Sequence, residues 1–212
     1  MVNKPAGQLV QGDQTGDIPL LETAKMYLKD KYQKPGKVFL GLVHRLDRPT
    51  SGVLVFARTS KALTRLNAQF KNRETEKVYR AIVEGHMLPS KQRLEHWLVR
   101  KPKQNKSYAY PKEVPDSKKA VLSYTSLVKM DRYTGLEIAL ETGRHHQIRA
   151  QLSALGHPIK GDLKYTAKRS NKGGNICLHA YKLSLTHPVK KERIEFCAPL
   201  PTEDLWTLFP AD

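Results

Sequence analysis

The segment from residue 44 to residue 52 places one carboxylate, Asp47, between two arginines in the order His-Arg-Leu-Asp-Arg-Pro-Thr-Ser-Gly. It lies between two short apolar runs, 38–43 and 52–57, that predict buried strands. Charge next to a core is costly unless it is compensated. A carboxylate that nearby cations keep ionised and oriented can serve as a nucleophile or a base. The alternative is structural, with Asp47 capping a turn in this loop.

A second polar segment, 142–149, reads Thr-Gly-Arg-His-His-Gln-Ile-Arg and begins an amphipathic helix. Helix N-termini favour anions. A metal site is the rival interpretation because His145 and His146 are adjacent, but adjacent residues diverge by about 100° around a helix. The i, i+4 histidine pair of a zinc helix is also absent, so we predict no metal. Arg149 lies one turn beyond His145 and either pairs with a carboxylate beneath the sheet or is a surface residue.

Tyr79 is a third candidate. It lies among charged residues in an alternating segment, 77–84, which predicts a half-buried strand that Gly85 ends. Most tyrosines in strands serve packing. The residues alone therefore favour a packing role for Tyr79 over a catalytic one.

The charge of the chain indicates a polyanionic partner. Its 212 residues include 37 Lys and Arg against 20 Asp and Glu, a formal net charge of +17. Much of the excess lies in 91–119, which holds nine basic residues, and in 160–172. RNA, DNA and an anionic membrane all satisfy this charge, and a solvated lysine face is the structural alternative. A nucleic-acid surface is favoured, because long basic stretches repel themselves without a counter-charge.

Other features of the sequence limit the class of protein. No apolar run approaches the roughly 20 residues of a membrane-spanning helix, and the N-terminus lacks the apolar stretch of a secretory signal. Cys177 and Cys197 have no metal-ligand spacing. We therefore expect a soluble, cytoplasmic monomer without a membrane partner, in which residues 1–212 form one compact catalytic domain.

The elements that must position these residues follow no regular β-α-β alternation. We therefore predict an α+β fold, a mixed and mainly antiparallel sheet with helices packed on it. The lysine- and proline-rich segment 102–119 is interpreted as an exposed loop, and Ser60 as the cap of the second helix. Helices are predicted at 19–28, at 60–71 and from about 145 to Gly156, and further strands at 93–100, 120–128, 136–140, 176–185 and 193–196.

Taken in order, a series of short motifs resembles those of the RluA-type pseudouridine synthases, and the resemblance extends over almost the whole chain. Each motif alone is weakly specific, whereas the ordered series is highly specific. The motifs are Asn3-Lys4-Pro5-Ala6-Gly7, His44-Arg45-Leu46-Asp47, Thr50-Ser51-Gly52, Lys77-Val78-Tyr79-Arg80-Ala81, Thr142-Gly143-Arg144-His145-His146-Gln147-Ile148-Arg149, Gly156-His157-Pro158-Ile159-Lys160-Gly161-Asp162, Leu178-His179-Ala180 and His187-Pro188.

The resemblance implies a sheet with a central cleft and an isomerase that converts uridines of ribosomal or transfer RNA to pseudouridine without cofactor or metal. It implies that Asp47 is the catalytic carboxylate, that Tyr79 stacks against the target base and handles its C5 proton, and that Arg149 pairs with the aspartate. It also implies that His44 and Arg45 position the loop and that Arg45 helps to hold the target nucleotide out of its helix. The expected RNA contacts are His44, Arg45, Arg48, Lys77, Arg144, His146 and Gln147.

The sequence departs from the family pattern at three points. Relatives have a strand before the Asn-Lys-Pro turn, so either the start is truncated or a shortened first strand suffices. Many relatives carry an accessory RNA-binding domain upstream, and we expect none here. Gln151 stands where many relatives have His, which alters packing or an RNA contact. Two alternative functions remain: a non-catalytic RNA-binding or ribosome-assembly protein on the same fold, and a metal-dependent nuclease, which the histidine spacing disfavours.

Overall fold

The computed structural model describes residues 1–13 and 15–210, over which the chain forms eleven strands and three α-helices. The helices are α1 (Leu20–Lys31), α2 (Ser60–Asn72) and α3 (Gln147–Ala154). The strands are β1 (Val2–Lys4), β2 (Gly41–Leu42), β3 (Ser51–Leu54), β4 (Phe56–Ala57), β5 (Glu76–Glu84), β6 (Lys91–Lys101), β7 (Lys106–Tyr110), β8 (Lys118–Lys129), β9 (Tyr133–Leu140), β10 (Leu178–Thr186) and β11 (Arg193–Cys197).

Nine of these strands form one sheet in the order β1-β3-β10-β5-β9-β8-β6-β7, with β11 paired to β10. The β3 and β10 strands run parallel, and the other described pairs in the sheet are antiparallel. The short strands β2 and β4 pair separately. The predicted α+β fold with a mixed, mainly antiparallel sheet is confirmed.

The first strand is short but paired. Val2, Asn3 and Lys4 align antiparallel with residues of β3 at the edge of the sheet. This pairing places the Asn-Lys-Pro turn beside the loop that follows β2.

Helix α2 matches its prediction except at the cap. Thr59, rather than Ser60, accepts a hydrogen bond from the Ala62 amide at 3.1 Å, because Ser60 already has helical geometry and the N-cap residue is the one before it. The predicted apolar stripe of α2 packs on the β3–β4 region, with Leu66 buried beside Val53.

Two predictions of local structure were wrong. The segment 102–119 is not a single exposed loop, since it contains a 3-10 turn and the strand β7, which pairs with β6 over five residues. Lysines are tolerated there because β7 is an edge strand, where charge discourages further pairing. In 38–43, only Gly41 and Leu42 form a strand.

Gly52 explains the Thr-Ser-Gly motif at the start of β3. Its φ is +115°, and a Cβ at this position would overlap the backbone of Ala180 on β10. Glycine is therefore needed where β3 approaches β10, and this close approach fixes the end of the loop that carries Asp47. Within the described part of the chain, the helices are too short or too polar to cross a membrane.

Candidate active site

The loop that carries Asp47 is held from below by the N-terminal turn. The Lys4 side chain is fully buried and its ammonium donates to three carbonyls, those of Pro5 at 3.0 Å, Gln8 at 2.8 Å and Arg48 at 3.0 Å. The Gly7 amide also donates to the Arg48 carbonyl, at 2.8 Å. The two bonds to the Arg48 carbonyl fix the backbone next to Asp47.

The side chain of Asp47 is held by Arg149. The Nη1 of Arg149 donates to Oδ2 of Asp47 at 3.0 Å, while its Nε and Nη2 donate to the two oxygens of Asp162 at 2.6 and 2.9 Å. Arg149 and Asp162 are 4% and 2% exposed. The bidentate pair fixes the plane of the guanidinium, so that one N–H of Nη1 points at Asp47. The pairing between Arg149 and Asp47 that the resemblance implied is present in the structure.

His146 is the second neighbour of Asp47. Its Nε2 lies 3.4 Å from the same oxygen, Oδ2. Burial and the nearby Arg149 lower the pKa of His146 to about 2, so the imidazole is neutral at physiological pH. His146 has a left-handed backbone at the start of α3, with φ +53°, which turns its ring towards Asp47 rather than along the helix.

The other oxygen of Asp47, Oδ1, accepts no hydrogen bond from residues 1–13 or 15–210. The Asp47 side chain keeps 32% of its surface exposed and lines a cavity of about 260 Å³. This cavity lies where the Asp47 loop, β5 and α3 meet. Its walls include Leu46, Phe70, Lys77, Tyr79, Leu140, Ile148 and Leu178.

Tyr79 lines this cavity from β5, and its stacking against a target base stays a prediction. Burial, and then the negative charge of Asp47, raise the pKa of the Tyr79 phenol well above its usual value. The phenol is therefore protonated at physiological pH. It can stack, donate a hydrogen bond or relay a proton, but it is a poor base as an anion.

The arginines of the Asp47 loop do not hold the carboxylate. Arg45 and Arg48 are exposed, and the guanidinium of Arg48 instead bonds to the Gly7 carbonyl at 3.0 Å and to Asp17 at 2.7 Å. Among the arginines in the described part of the chain, Arg149 is the one whose guanidinium bonds to Oδ2 of Asp47.

The other residues expected to contact RNA divide into two groups. Lys77 and Arg144 line the cavity with their charged side chains. His44 is neutral, because burial lowers its pKa to about 4, and its ring stacks on Phe70 at 4.9 Å. Gln147 is buried and bonds to Thr142, Arg144 and Val121. The Nε2 of His44 accepts a hydrogen bond from the Val55 amide at 3.1 Å. His44 and Gln147 thus make these hydrogen bonds inside the protein, and contact with RNA by any of these residues stays a prediction.

Three residues of the site had no assigned role in the sequence. Lys4 and Asp162 lie in motifs of the resemblance, and the expectation that Arg149 meets a carboxylate pointed to Asp162 without naming it. Tyr165 follows three residues after Asp162, and its hydroxyl lies 3.0 Å from Nδ1 of His146. Nothing in the local sequence around Tyr165 distinguishes it from a packing residue.

Comparison with known proteins gives consistent results. A sequence model of the family described as RNA pseudouridylate synthase matches residues 1–154. The solved human structure titled RNA Pseudouridylate Synthase Domain Containing 4 shares the fold, with a TM-score of 0.80 over 94% of this chain and 84% of its own, at 24% identity.

Three curated relatives illustrate the range of similarity. An uncharacterized RNA pseudouridine synthase of Chloroflexus aurantiacus is 38% identical over 95% of this chain, and ribosomal large subunit pseudouridine synthase D of Neisseria meningitidis is 36% identical over 98%. The chain spans only 63% and 57% of the lengths of these two proteins. The tRNA pseudouridine synthase C of Pasteurella multocida is 33% identical, and the alignment covers 100% of this chain and 92% of that protein.

Proposed function

Since the chain belongs to the RNA pseudouridylate synthase family, we propose that it isomerises specific uridines of RNA to pseudouridine, with Asp47 as the catalytic carboxylate. One observation carries this proposal. Arg149 and His146 occupy Oδ2 of Asp47, while the carboxylate faces a cavity that Tyr79 also lines. A carboxylate aimed at a confined space beside an aromatic ring suits chemistry on a single nucleotide.

The substrate we propose is ribosomal or transfer RNA. Relatives of both descriptions match, one named for the ribosomal large subunit and one for tRNA. The net charge of +17 suits either polyanion. The non-catalytic alternative, an RNA-binding or ribosome-assembly protein, would retain this charge without needing the carboxylate in the cavity.

The target uridine must leave its helix before Asp47 can reach it. Extrusion of a nucleotide costs a few kcal/mol, and contacts with the phosphates and the extruded base offset that cost. A protein cavity of roughly 150 Å³ accepts a benzene ring, so the cavity of about 260 Å³ beside Asp47 has room for a pyrimidine. Lys77 and Arg144 line the same cavity and can contact the flanking phosphates.

The reaction begins at the glycosidic bond. Asp47 either attacks the sugar or removes a sugar proton, and the N1 bond to the ribose then breaks. The freed uracil rotates within the cavity until C5 faces the ribose, and the new carbon–carbon bond forms there. Asp47 is regenerated when the sugar recovers its original state.

The last step is loss of the proton from C5. Since the Tyr79 phenol is protonated, we propose that it stacks against the base and relays the C5 proton to a water beside it, giving up its own proton as it takes the new one. The N1 atom freed at the first step takes a proton from water, so the number of protons on the base is unchanged. This assigns Tyr79 a relay function and leaves water as the final acceptor.

The test is the Asp47→Asn protein on unmodified rRNA and tRNA that carry tritium at C5 of uridine. We expect RNA binding to be retained and tritium release to fall at least about 10⁴-fold, since a catalytic group is removed without loss of size. The control is Asp30→Asn, at an exposed position on α1, which should release tritium at the unaltered rate.

Two outcomes would contradict the proposal. Turnover by Asp47→Asn at the rate of the unaltered protein would remove Asp47 from its role. Binding of RNA by the unaltered protein, with no tritium release from any uridine in rRNA or tRNA, would instead indicate the non-catalytic alternative.

A further inference from the structure

Tyr165 lies beneath the site and connects β7 to α3. Its side chain is 2% exposed, and its hydroxyl oxygen lies 2.8 Å from the amide nitrogen of Ser107 on β7 and 3.0 Å from Nδ1 of His146. The guanidinium of Arg149 lies over its ring, 5.0 Å from the centroid. Tyr165 therefore touches both residues that hold Oδ2 of Asp47, without reaching Asp47 itself.

The Tyr165 hydroxyl accepts one of its two hydrogen bonds and donates the other. The Ser107 amide is a donor only, so the Tyr165 oxygen accepts from it. The phenol proton has no other acceptor among residues 1–13 and 15–210, and a buried hydroxyl proton without an acceptor is costly. The phenol therefore donates to Nδ1 of His146, which must be the unprotonated nitrogen of the ring.

The proton of the neutral imidazole is then on Nε2, the atom that lies 3.4 Å from Oδ2 of Asp47. The opposite tautomer would turn the Nε2 lone pair towards a carboxylate and leave the phenol proton unpaired. Both costs disfavour the tautomer of His146 that carries its proton on Nδ1. The contact pattern thus selects one tautomer of His146.

We propose that Tyr165 is a positioning residue that holds His146 as the Nε2–H tautomer, so that Oδ2 of Asp47 accepts the Arg149 hydrogen bond and faces the Nε2–H of His146 at 3.4 Å, and Oδ1 is left as the reacting oxygen. Its role in catalysis rests on the proposed function, whereas the tautomer does not. Tyr165 also supports Arg149 through its ring, so one buried side chain contacts both residues that lie against the same carboxylate oxygen.

The tautomer is tested without any assay of activity. Protein labelled with ¹⁵N in histidine is examined by long-range proton–nitrogen correlation, and the His146 signals are assigned by comparison with His146→Asn. We expect a protonated Nε2 and an unprotonated Nδ1 in the unaltered protein. In Tyr165→Phe, we expect the signals to shift towards a mixture of tautomers.

His145 provides an internal reference in the same spectrum. Its Nε2 lies 3.1 Å from the side-chain oxygen of Asn105 and its Nδ1 lies 2.9 Å from the hydroxyl of Ser107, so it is also held as Nε2–H, by groups that do not include Tyr165. Its signals should be unchanged in Tyr165→Phe. A shift of both histidines would indicate general disorder of the site and would overturn the specific role.

The kinetic test compares two buried tyrosines. In Tyr165→Phe, kcat should fall about tenfold, the effect of one lost hydrogen bond, while KM for RNA stays unchanged. Tyr124 is the matched control, because it is 1% exposed and its hydroxyl bonds to the Pro89 carbonyl, away from the site. Tyr124→Phe should leave kcat and the His146 signals unchanged.

Three results would overturn the proposal: a protonated Nδ1 on His146 in the unaltered protein, His146 signals in Tyr165→Phe identical to those of the unaltered protein, or an unchanged kcat in that variant. If the protein modifies no RNA at all, the proposed function fails, and the spectrum of the unaltered protein still decides the tautomer. If Tyr165→Phe does not fold, that same spectrum decides whether the inference stands.

Discussion

Two groups of cationic side chains surround Asp47, and they differ in burial. Beneath the carboxylate, Lys4 is fully buried and Arg149 is 4% exposed, and each has several defined partners inside the protein. Around the rim, Arg45 and Arg48 are exposed. Charge is abundant in both places, but only the buried group positions the carboxylate.

The difference follows from desolvation. A cation that has left water must recover its lost hydration from protein acceptors, so its geometry is specified and it can orient a neighbour. An exposed cation has no such requirement, and its contribution to stability is small. It remains available to phosphates, whose binding depends on charge more than on geometry.

The sharpest test of this contrast is to remove one arginine from each group. Arg149→Met leaves Asp162 buried without its ion pair, and we expect the free energy of unfolding to fall by about 3–5 kcal/mol. Urea denaturation would measure this loss of unfolding free energy. Arg45→Met is the matched control and should change stability by less than about 0.5 kcal/mol. Equal losses in the two variants would erase the distinction between the groups.

A second test removes the buried lysine. Lys4→Met leaves the carbonyls of Pro5, Gln8 and Arg48 without that donor, and we expect a loss of about 1–3 kcal/mol in unfolding free energy. Lys91→Met, at an exposed position on β6, serves as the control. If Lys4→Met proved as stable as this control, the three bonds would contribute nothing to holding the loop.

Buried histidines extend the comparison to pH. Burial lowers the pKa of His146 to about 2 and that of His179 to about 4, against about 6.5 in the unfolded chain. Between pH 6.5 and 4 the unfolded chain therefore binds protons that the folded protein does not. The contribution of these histidines to stability is therefore full above pH 6.5 and falls on acidification, by about 1.4 kcal/mol per pH unit for each such histidine.

Urea unfolding at pH 7, 6 and 5 would give the slope of the unfolding free energy against pH. Replacing the 1% exposed His179 with Gln should reduce the slope by about one proton. The slope of the unaltered protein is the reference for this change. A slope that His179→Gln leaves unchanged would mean that this histidine is not buried in its neutral form.

The rim arginines should have their effect on RNA instead. For Arg45→Gln and for Arg48→Gln, we expect the slope of log affinity against log salt concentration to fall by about 1 for each phosphate that the arginine no longer neutralises. Filter binding at several salt concentrations would show it. Lys29→Gln, at an exposed position on α1, is the control and should leave this slope unchanged. If the two arginine variants had the same slope as Lys29→Gln, the RNA would not contact these arginines.

Much of the fold could be predicted because it depends on local pattern. The stripe of Leu66 and its neighbours gave α2, and alternation in 77–84 gave β5. The strand β7 could not be predicted, since Lys106–Tyr110 is polar and owes its conformation to pairing with β6. Its omission mattered, because the Ser107 amide on that strand orients the Tyr165 hydroxyl.

The amino-acid sequence by itself determined the order of the motifs, the net charge and the identity of Asp47, Tyr79 and Arg149 as the residues to examine. The resemblance named Arg149 as the partner of Asp47, and only the tertiary structure decided that Arg48 bonds elsewhere and which oxygen of the carboxylate stays open. The physical reason is distance along the chain: Arg149 and Asp47 are 102 residues apart. Periodicity reports which face a side chain occupies but not what it meets across the fold.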